Sequence, residues 1–269
     1  MVTSGVRDAA YMRQEGFTYR FDWGLEGLRS LAPVVDVVII VDVLRFTTAV
    51  CAALESEGTV FPYPWADDGL DAYAASNNAV AAKLREHGGY SLSPTDLLTS
   101  QAHSRIVLPS PNGSALSFAA RELGATRVLA GCLRNASATA IHARSCLSST
   151  ERGHNAIAVI AAGERWGDAN QPLRPAVEDL IGAGAILLAL DPSGAVANPM
   201  CSPEAAAARA AFQHARPRLF DALCASGSGR ELLDRGWEDD VATSAAHDVA
   251  TVVAELVQNA FVRVAASKT

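Results

Sequence analysis

The sequence predicts an α/β protein with a layered α/β/α architecture and a largely parallel or mixed central sheet. Short apolar runs rich in β-branched residues alternate along the chain with helical stretches of about ten residues or more. One of these runs, 34–43, is apolar at nearly every position, which is typical of a strand buried on both faces. Strands separated by helices of this length pair in parallel through right-handed crossovers.

The first half of the chain begins this alternation. The strand predicted at 34–43 lies between Pro33 and Arg45, and the helix predicted at 47–57 stops at Gly58, because glycine readily adopts the conformation that ends a helix. The elements that follow are a short strand at 59–61, an alanine-rich helix at 68–87, a polar segment at 90–104 and a strand at 105–108.

The second half continues the alternation and then becomes helical. Its predicted elements are helices at 115–123, 136–147 and 177–190, strands at 127–130 and 156–161, and a loop rich in Gly, Arg and Pro at 163–175. Residues 203–224 are predicted to be helical with an interruption at Pro217, 230–235 form a short amphipathic turn, and 249–257 fits either a strand or a helix. Since no linker separates two parts, residues 1–269 form one predicted domain, with about 1–20 as a candidate flexible extension.

The composition excludes several classes of protein. Hydrophobic residues make up 49% of the chain and charged residues 19%, so it folds around a core rather than being disordered. A net charge of -7 argues against a broad nucleic-acid surface. The sequence shows no membrane-spanning apolar run, no signal-peptide core and no C-x-x-C pair among its five cysteines. We therefore expect a cytoplasmic protein that binds neither nucleic acid nor membrane.

Polar residues follow several predicted strands, at the sheet edge where parallel α/β proteins bind ligands. These residues are Asp42 and Arg45 after the first strand, Asn112, Gly113 and Ser114 after 105–108, Asn135 after 127–130, and Gly163, Glu164 and Arg165 after 156–161. A carboxylate, two arginines and small donors at helix starts can form an anion and metal site.

Each of these residues also has a plain structural interpretation. Asp42 is either a ligand or the cap of the next helix, and Arg45, whose guanidinium suits phosphate or sulfonate oxygens, could equally be a solvated surface cation. Residues 39–42 are similar to the nucleophile strand of haloacid dehalogenases, but Leu44 stands where that motif needs a second aspartate. Asn112 and Gly113 are first of all a turn signal.

Two glycine-containing segments and an acidic pair add further candidates. Glu178 and Asp179 lie in the first turn of a helix, about 100° apart, so we expect only one of them to face a site. Gly182 and Gly184 indicate close packing of that helix against the sheet. The glycine–serine segment 226–230 is either a connector or an anion cradle.

Taken in order, these motifs resemble those of the 2-phosphosulfolactate phosphatase family. They are 41–48 (VDVLRFTT), 111–114 (PNGS), 135–136, 161–163, 177–179 and 183–184, and in the C-terminal segment 229–233, Gly236, 238–241 and 248–250. The resemblance runs from about residue 20 to 257. It implies the family's fold, a requirement for Mg²⁺, and hydrolysis of 2-phospho-3-sulfolactate to 3-sulfolactate and phosphate, a step toward coenzyme M.

The resemblance and the chemistry together predict the roles of the site residues. The predicted catalytic residues are Asp42, Arg45, Glu178 and Asp179. The predicted Mg²⁺ ligands are Asp42 together with Glu178 or Asp179. The predicted substrate-binding residues are Arg45, Asn112, Gly113, Ser114, Asn135 and Arg165. Asp42 is alternatively a covalent nucleophile. The expected partner is a small anionic phosphate ester, and a homo-oligomer is compatible with this class of enzyme.

The sequence departs from the family pattern at two motifs. A Gly-Glu motif is replaced by residues 83–89 (KLREHGG), and the asparagine of an Asn-Ser-Pro motif by Leu92. The alternative hypothesis is therefore a non-catalytic paralogue that binds anions but has lost hydrolysis.

Overall fold

The strands and helices lie in the residues that the computed structural model describes, namely 10–64, 67–147, 153–167, 171–191 and 199–264. The strands are β1 (Tyr19–Trp23), β2 (Val37–Val41), β3 (Thr59–Tyr63), β4 (Val80–Ala81), β5 (Arg105–Pro109), β6 (Arg127–Gly131), β7 (Ile157–Ala161), β8 (Glu164–Arg165), β9 (Leu173–Arg174), β10 (Val253–Val257) and β11 (Ala260–Val264). The helices are α1 (Gly24–Leu31), α2 (Phe46–Glu55), α3 (Leu70–Ser76), α4 (Pro94–Leu98), α5 (Gly113–Glu122), α6 (Ala136–Leu147), α7 (Val177–Leu190), α8 (Pro203–Ala215), α9 (Leu219–Ala225), α10 (Gly227–Asp234) and α11 (Glu238–Ala245).

Nine of the strands form one mixed sheet in the order β1-β7-β2-β6-β10-β11-β3-β5-β4. Strands β1, β7, β2 and β6 pair in parallel, and so do β3, β5 and β4. Between these two parallel blocks, β10 and β11 form a hairpin that pairs antiparallel with β6 on one side and β3 on the other. This confirms the predicted layered α/β architecture, with the mixed form of the sheet.

The core lies on both faces of the sheet, as the continuous apolar run of β2 predicted. Val37, Ile39 and Val41 pack on one face into a cluster that includes side chains of α6, α7 and α8. Val38 and Ile40 pack on the other face with residues of α1 and α5. All five residues of β2 are fully buried, which explains why period-two alternation is absent from this strand. Among the described residues, no helix is both long and apolar enough to cross a membrane.

Several predicted boundaries are wrong. The helix predicted at 68–87 ends at Ser76 as α3, because the chain then forms the edge strand β4, which pairs with β5. The polar segment 90–104 contains the short helix α4, which begins at the cap Ser93. The loop at 163–175 carries the β8–β9 hairpin. The ambiguous run at 249–257 forms strand β10.

Residues 10–20, part of the candidate extension, make several hydrogen bonds within the segment and to β1. Gln14 donates from Nε2 to the carbonyl of Phe21 (2.7 Å) and accepts the amide of Phe21 at Oε1 (3.1 Å), and the Arg20 guanidinium donates to the carbonyl of Arg13 (2.8 Å). These hydrogen bonds join residues 10–20 to one another and to β1. Residues 1–9 lie outside the described residues.

The two glycines of α7 pack against different partners. A Cβ atom at Gly182 would overlap Val43 and come within 3.1 Å of Val41 Cγ1, at the end of the sheet. A Cβ atom at Gly184 would instead overlap the backbone carbonyl of Ala208 on α8. The expectation of close packing against the sheet therefore holds for Gly182, whereas Gly184 is required by the contact between α7 and α8.

We predict that Gly184→Ala destabilises the protein by about 3 kcal/mol, because backbone atoms of two helices must separate to admit the methyl group. The control is Gly167→Ala, where the added carbon meets, among the described residues, the flexible Gln171 side chain at 3.3 Å, and where we expect a change below about 0.5 kcal/mol. Urea unfolding of both variants measures the difference. Equal stabilities would contradict the assigned role of Gly184.

Candidate active site

A pocket of about 220 Å³ lies where the chain leaves β2, beside the loop that follows β5. It is lined by Asp42, Leu44, Arg45, Phe46, Leu92, Ser110, Pro111, Asn112, Glu164, Ser228, Glu231 and Leu232. Three of the predicted site residues, Asp42, Arg45 and Asn112, therefore meet in one cavity.

The carboxylate of Asp42 is held by backbone amides from two different elements. Its Oδ1 accepts the amide of Phe46, the first residue of α2 (3.1 Å), and its Oδ2 accepts the amide of Gly113 (2.9 Å). The Ser110 hydroxyl lies 3.5 Å from Oδ2. Asp42 thus bonds to the start of a helix and also lines the pocket, so the two interpretations of this residue are compatible.

Gly113 must be glycine for this contact to form. A Cβ atom at this position would overlap the ring of Phe46 and lie 2.8 Å from Oδ2 of Asp42. Helix α5, which begins at Gly113, contacts both β2 and β3. The first residue of α5 therefore lies next to Asp42 at the end of β2, although the preceding strand, β5, belongs to the other parallel block.

Glu178 and Asp179, the acidic pair at the start of α7, make different contacts. Asp179 accepts the amide of Val43 at Oδ1 (2.7 Å) and the amide of Gly163 at Oδ2 (2.9 Å), so it ties the ends of β2 and β7 together. Glu178 is only 2% exposed, and its Oε2 has no hydrogen-bond partner among the described residues. Glu178 is therefore the member of the pair with a free oxygen, next to the charges of Asp42 and Glu164.

Burial raises the pKa of the carboxyl groups around the pocket. The pKa of Asp42 rises to about 6, chiefly through burial, against the lowering effect of the Phe46 and Gly113 amides. The pKa of Glu164 rises to about 7 through burial and the nearby Asp42, although Asn112 donates to its Oε2 at 2.9 Å and lowers it. Burial likewise raises the pKa of Asp179. Near neutral pH, Asp42 and Glu164 can hold and release protons.

We predict that this cluster makes the protein less stable as the pH rises. A carboxyl group whose pKa is higher in the folded than in the unfolded chain binds more protons when folded, so its contribution falls as the pH increases between the two values. For Asp42 the window runs from 3.8 to about 6, and Glu164 extends it to about 7. The loss for Asp42 is on the order of 3 kcal/mol.

Urea unfolding between about pH 4.5 and pH 7.5 measures this slope. Asp42→Asn should flatten its lower part and Glu164→Gln its upper part, because the neutral amides do not titrate. Slopes identical to that of the unmodified protein would contradict the assigned burial of these charges.

Arg45 is aimed into the pocket by a buried aspartate and an aromatic ring. Its Nη1 donates to Oδ2 of Asp240 (2.8 Å), and its guanidinium lies 4.8 Å from the centre of the Trp237 ring. Asp240 is fully buried and also accepts the Ser93 hydroxyl at Oδ1 (2.6 Å). The segments around Ser93 and Asp240, far apart in the sequence, thus meet behind Arg45.

Other predicted substrate-binding residues point to backbone groups instead of the pocket. The Ser114 hydroxyl donates to the carbonyl of Leu108 (2.8 Å). Asn135 accepts the amide of Cys132 (2.9 Å) and donates to the carbonyl of Val252 (3.1 Å). Both side chains are fully buried, so they stabilise the strand ends.

Arg165 is likewise not brought to the pocket. It lies in β8, and its Nη1 donates to the carbonyl of Gln171 (3.2 Å) within the β8–β9 hairpin. Among the residues that the structure describes, no hydrogen bond or ion pair joins Arg165 to Asp42 or Arg45.

Three residues without a predicted role complete the pocket. Glu164 follows β7, and its position after a strand end is what makes it a candidate in the sequence. Ser228 and Glu231 come from the glycine–serine segment and α10. Ser226 caps that helix by accepting the amide of Gly229 (3.0 Å), and the buried Ser228 hydroxyl has no partner in the described part of the chain. The segment is therefore more than a connector.

The oxygen atoms of the pocket fit a hard cation such as Mg²⁺. No group of three His, Cys, Asp or Glu side chains converges as a metal cluster among the described residues, but Mg²⁺ commonly uses only one or two carboxylates and keeps several waters. Asp42, which lines the pocket, and the unpartnered Oε2 of Glu178, which is buried near Asp42, can supply those carboxylates. Asp179 accepts one backbone amide at each oxygen, as Asp42 does, and holds the ends of β2 and β7 together beside these two carboxylates.

Comparison with protein-family models places the chain beside a known family. A family model described as 2-phosphosulpholactate phosphatase matches residues 27–259. A search of curated proteins finds no match to this sequence. The matched region contains every residue of the pocket, from Asp42 to Leu232, together with Asp240.

Proposed function

The chain belongs to the 2-phosphosulfolactate phosphatase family, and from this membership we propose that it is a Mg²⁺-dependent phosphatase that hydrolyses a small acidic phosphomonoester. The first candidate substrate is 2-phospho-3-sulfolactate, which would give 3-sulfolactate and phosphate. The family is a family of phosphatases, whereas the metal and the substrate are parts of the proposal.

The main support for the proposal is that Asp42 and Arg45 line the same pocket. Hydrolysis of a phosphomonoester is extremely slow without a catalyst, because a negatively charged group must be approached by a nucleophile. Arg45 offers a planar set of N–H donors that matches phosphoryl oxygens and stabilises their charge. Asp42 offers an anionic oxygen beside it.

The carboxyl groups can perform the proton transfers. Asp42, with a pKa of about 6, is ionised at neutral pH and acts as the base or the nucleophile of the displacement. Glu164, with a pKa of about 7, is partly protonated there and can donate a proton to the leaving oxygen. Asn112, which donates to Glu164, orients that carboxyl group.

Asp42 and Glu178 are the residues that would hold Mg²⁺. The bound ion would supply positive charge to the phosphoryl oxygens, in addition to that of Arg45. Asp179 fixes the ends of β2 and β7 around these ligands through its two amide contacts.

The test is phosphate release from a panel of small phosphomonoesters, with 2-phospho-3-sulfolactate and phospholactate included. We expect turnover with Mg²⁺ and none with EDTA, and restored turnover when Mg²⁺ is added back. Binding of phosphate, seen as thermal stabilisation, without turnover of any ester would favour the non-catalytic paralogue. Undiminished turnover in EDTA would exclude the metal from the proposal.

A further inference from the structure

A second cavity of about 440 Å³ adjoins the catalytic pocket and is not used by the proposed chemistry. Arg45 and Leu92 line both cavities, so the two are neighbours around these side chains. The remaining residues of the second cavity are Asp67, Asp68, Leu70, Ala82, Lys83, Leu84, Arg85, His87, Ser91, Pro109, Arg235 and Trp237. Its volume falls in the range of about 300–1,000 Å³ that is typical of pockets for small organic ligands.

Three arginines of this cavity surround one aromatic ring. The guanidinium groups of Arg45, Arg85 and Arg235 lie 4.8, 5.8 and 5.2 Å from the centre of the Trp237 ring. Like charges repel, so this arrangement needs compensating anions.

Carboxylates of the protein supply part of that compensation. Arg85 donates to Asp96 (3.0 Å) and lies 3.5 Å from Asp240, which also binds Arg45, and Arg235 donates to Glu231 (2.8 Å). Each guanidinium has five N–H donors, and these contacts use only one or two of them. Donors are therefore left for an anion.

Lys83 is the cation of the cavity without a compensating partner. It is exposed, and no carboxylate pairs with it in the parts of the chain that the structure describes. Asp67 and Asp68 also line the cavity, but Asp67 already accepts the Tyr63 hydroxyl (2.9 Å) and the amide of Gly69 (3.0 Å). Arg45 and Arg85 both approach Trp237 and Asp240, and Arg45 also lines the catalytic pocket.

On the basis of the proposed function, we propose that this second cavity binds an acid group at the far end of the substrate, with Lys83 and Arg85 as specificity-determining residues. Leucine, proline and tryptophan side chains beside these cations would contact the carbon body of such a substrate. The volume of this cavity favours a phosphomonoester whose distal acid is separated from the phosphate by a body larger than three carbons.

The test compares phenylphosphonate with 4-carboxyphenylphosphonate by calorimetry in the presence of Mg²⁺. The two share a ring and a phosphonate that cannot be hydrolysed, and differ only in the distal acid. We expect the carboxylated compound to bind about tenfold more tightly, as one charge-assisted hydrogen bond would give. Lys83→Gln and Arg85→Gln should each remove most of that difference.

The matched control is Arg29→Gln, which removes an exposed arginine that pairs with its own helix neighbour Glu26 and lines neither cavity. This variant should keep the tenfold preference. Equal affinity of the two phosphonates in the unmodified protein, or no binding of either, would overturn the proposal.

Turnover of the corresponding phenyl phosphates separates this proposal from the proposed function. Hydrolysis of both esters with equal kcat/KM would contradict the second subsite but would still support the proposed phosphatase activity. Preferential binding of the carboxylated phosphonate without hydrolysis of either ester would support the subsite and argue against catalysis.

Discussion

Asp42→Asn is expected to lower kcat/KM for the best phosphomonoester by at least about 10³-fold, which corresponds to about 4 kcal/mol of transition-state stabilisation. The amide has nearly the shape of the carboxylate, but it carries no charge and can neither attack phosphorus nor accept a proton at neutral pH. Steady-state phosphate release in Mg²⁺ measures the loss.

Two controls show whether this loss is chemical rather than structural. The variant should stay folded near pH 7.5 with a similar unfolding temperature, since the removal of a buried charge whose pKa is raised on folding offsets the loss of one acceptor for a backbone amide. Asp36→Asn provides the matched comparison, because Asp36 is fully buried just before the same strand and accepts the Ala156 amide (3.3 Å), far from the pocket. Full turnover in Asp42→Asn would remove this residue from the mechanism.

Arg45→Lys is expected to reduce kcat/KM by about 10²-fold, even though the positive charge is kept. A lysine ammonium cannot present two parallel N–H donors to a phosphoryl group while it bonds to Asp240, and it loses the planar contact with Trp237. Arg105→Lys is the control, because Arg105 also lies over an aromatic ring, that of Phe61 (4.8 Å), but outside both cavities.

Rescue by a small molecule tests whether the guanidinium itself is needed at this place. Adding millimolar guanidinium to Arg45→Ala should restore part of the turnover, whereas the same addition to Arg105→Ala should have no effect. Absence of rescue together with unchanged turnover in Arg45→Lys would show that Arg45 contributes charge or packing alone.

Much of the fold follows from local patterns. Helices α6 and α7 begin and end at the predicted residues 136–147 and 177–190, since each is a long helical stretch whose ends are marked by a change in composition. The prediction fails at 68–87, where an equally alanine-rich stretch ends at Ser76. There, pairing of β4 with the edge of β5 outweighs helix propensity, which is a weak preference.

The candidate site was predictable only in part. Asp42 and Arg45 stand out because they interrupt an apolar run at a strand end. Ser93 and Asp240, by contrast, meet behind Arg45 across 147 positions, and no local pattern encodes such a contact. The approach of Gly113 to Asp42 was expected from parallel neighbouring strands, yet it depends on α5 bridging two blocks that the β10–β11 hairpin separates.

That hairpin has a consequence for a chain leaving the ribosome. When residues up to about 250 have emerged, every parallel strand is present, but β6 and β3 each lack the neighbour that completes their hydrogen bonding. Unpaired strand edges invite association between nascent chains. The 253–264 segment pairs with both edges, so the continuous sheet that joins the two blocks is complete only after synthesis of the hairpin.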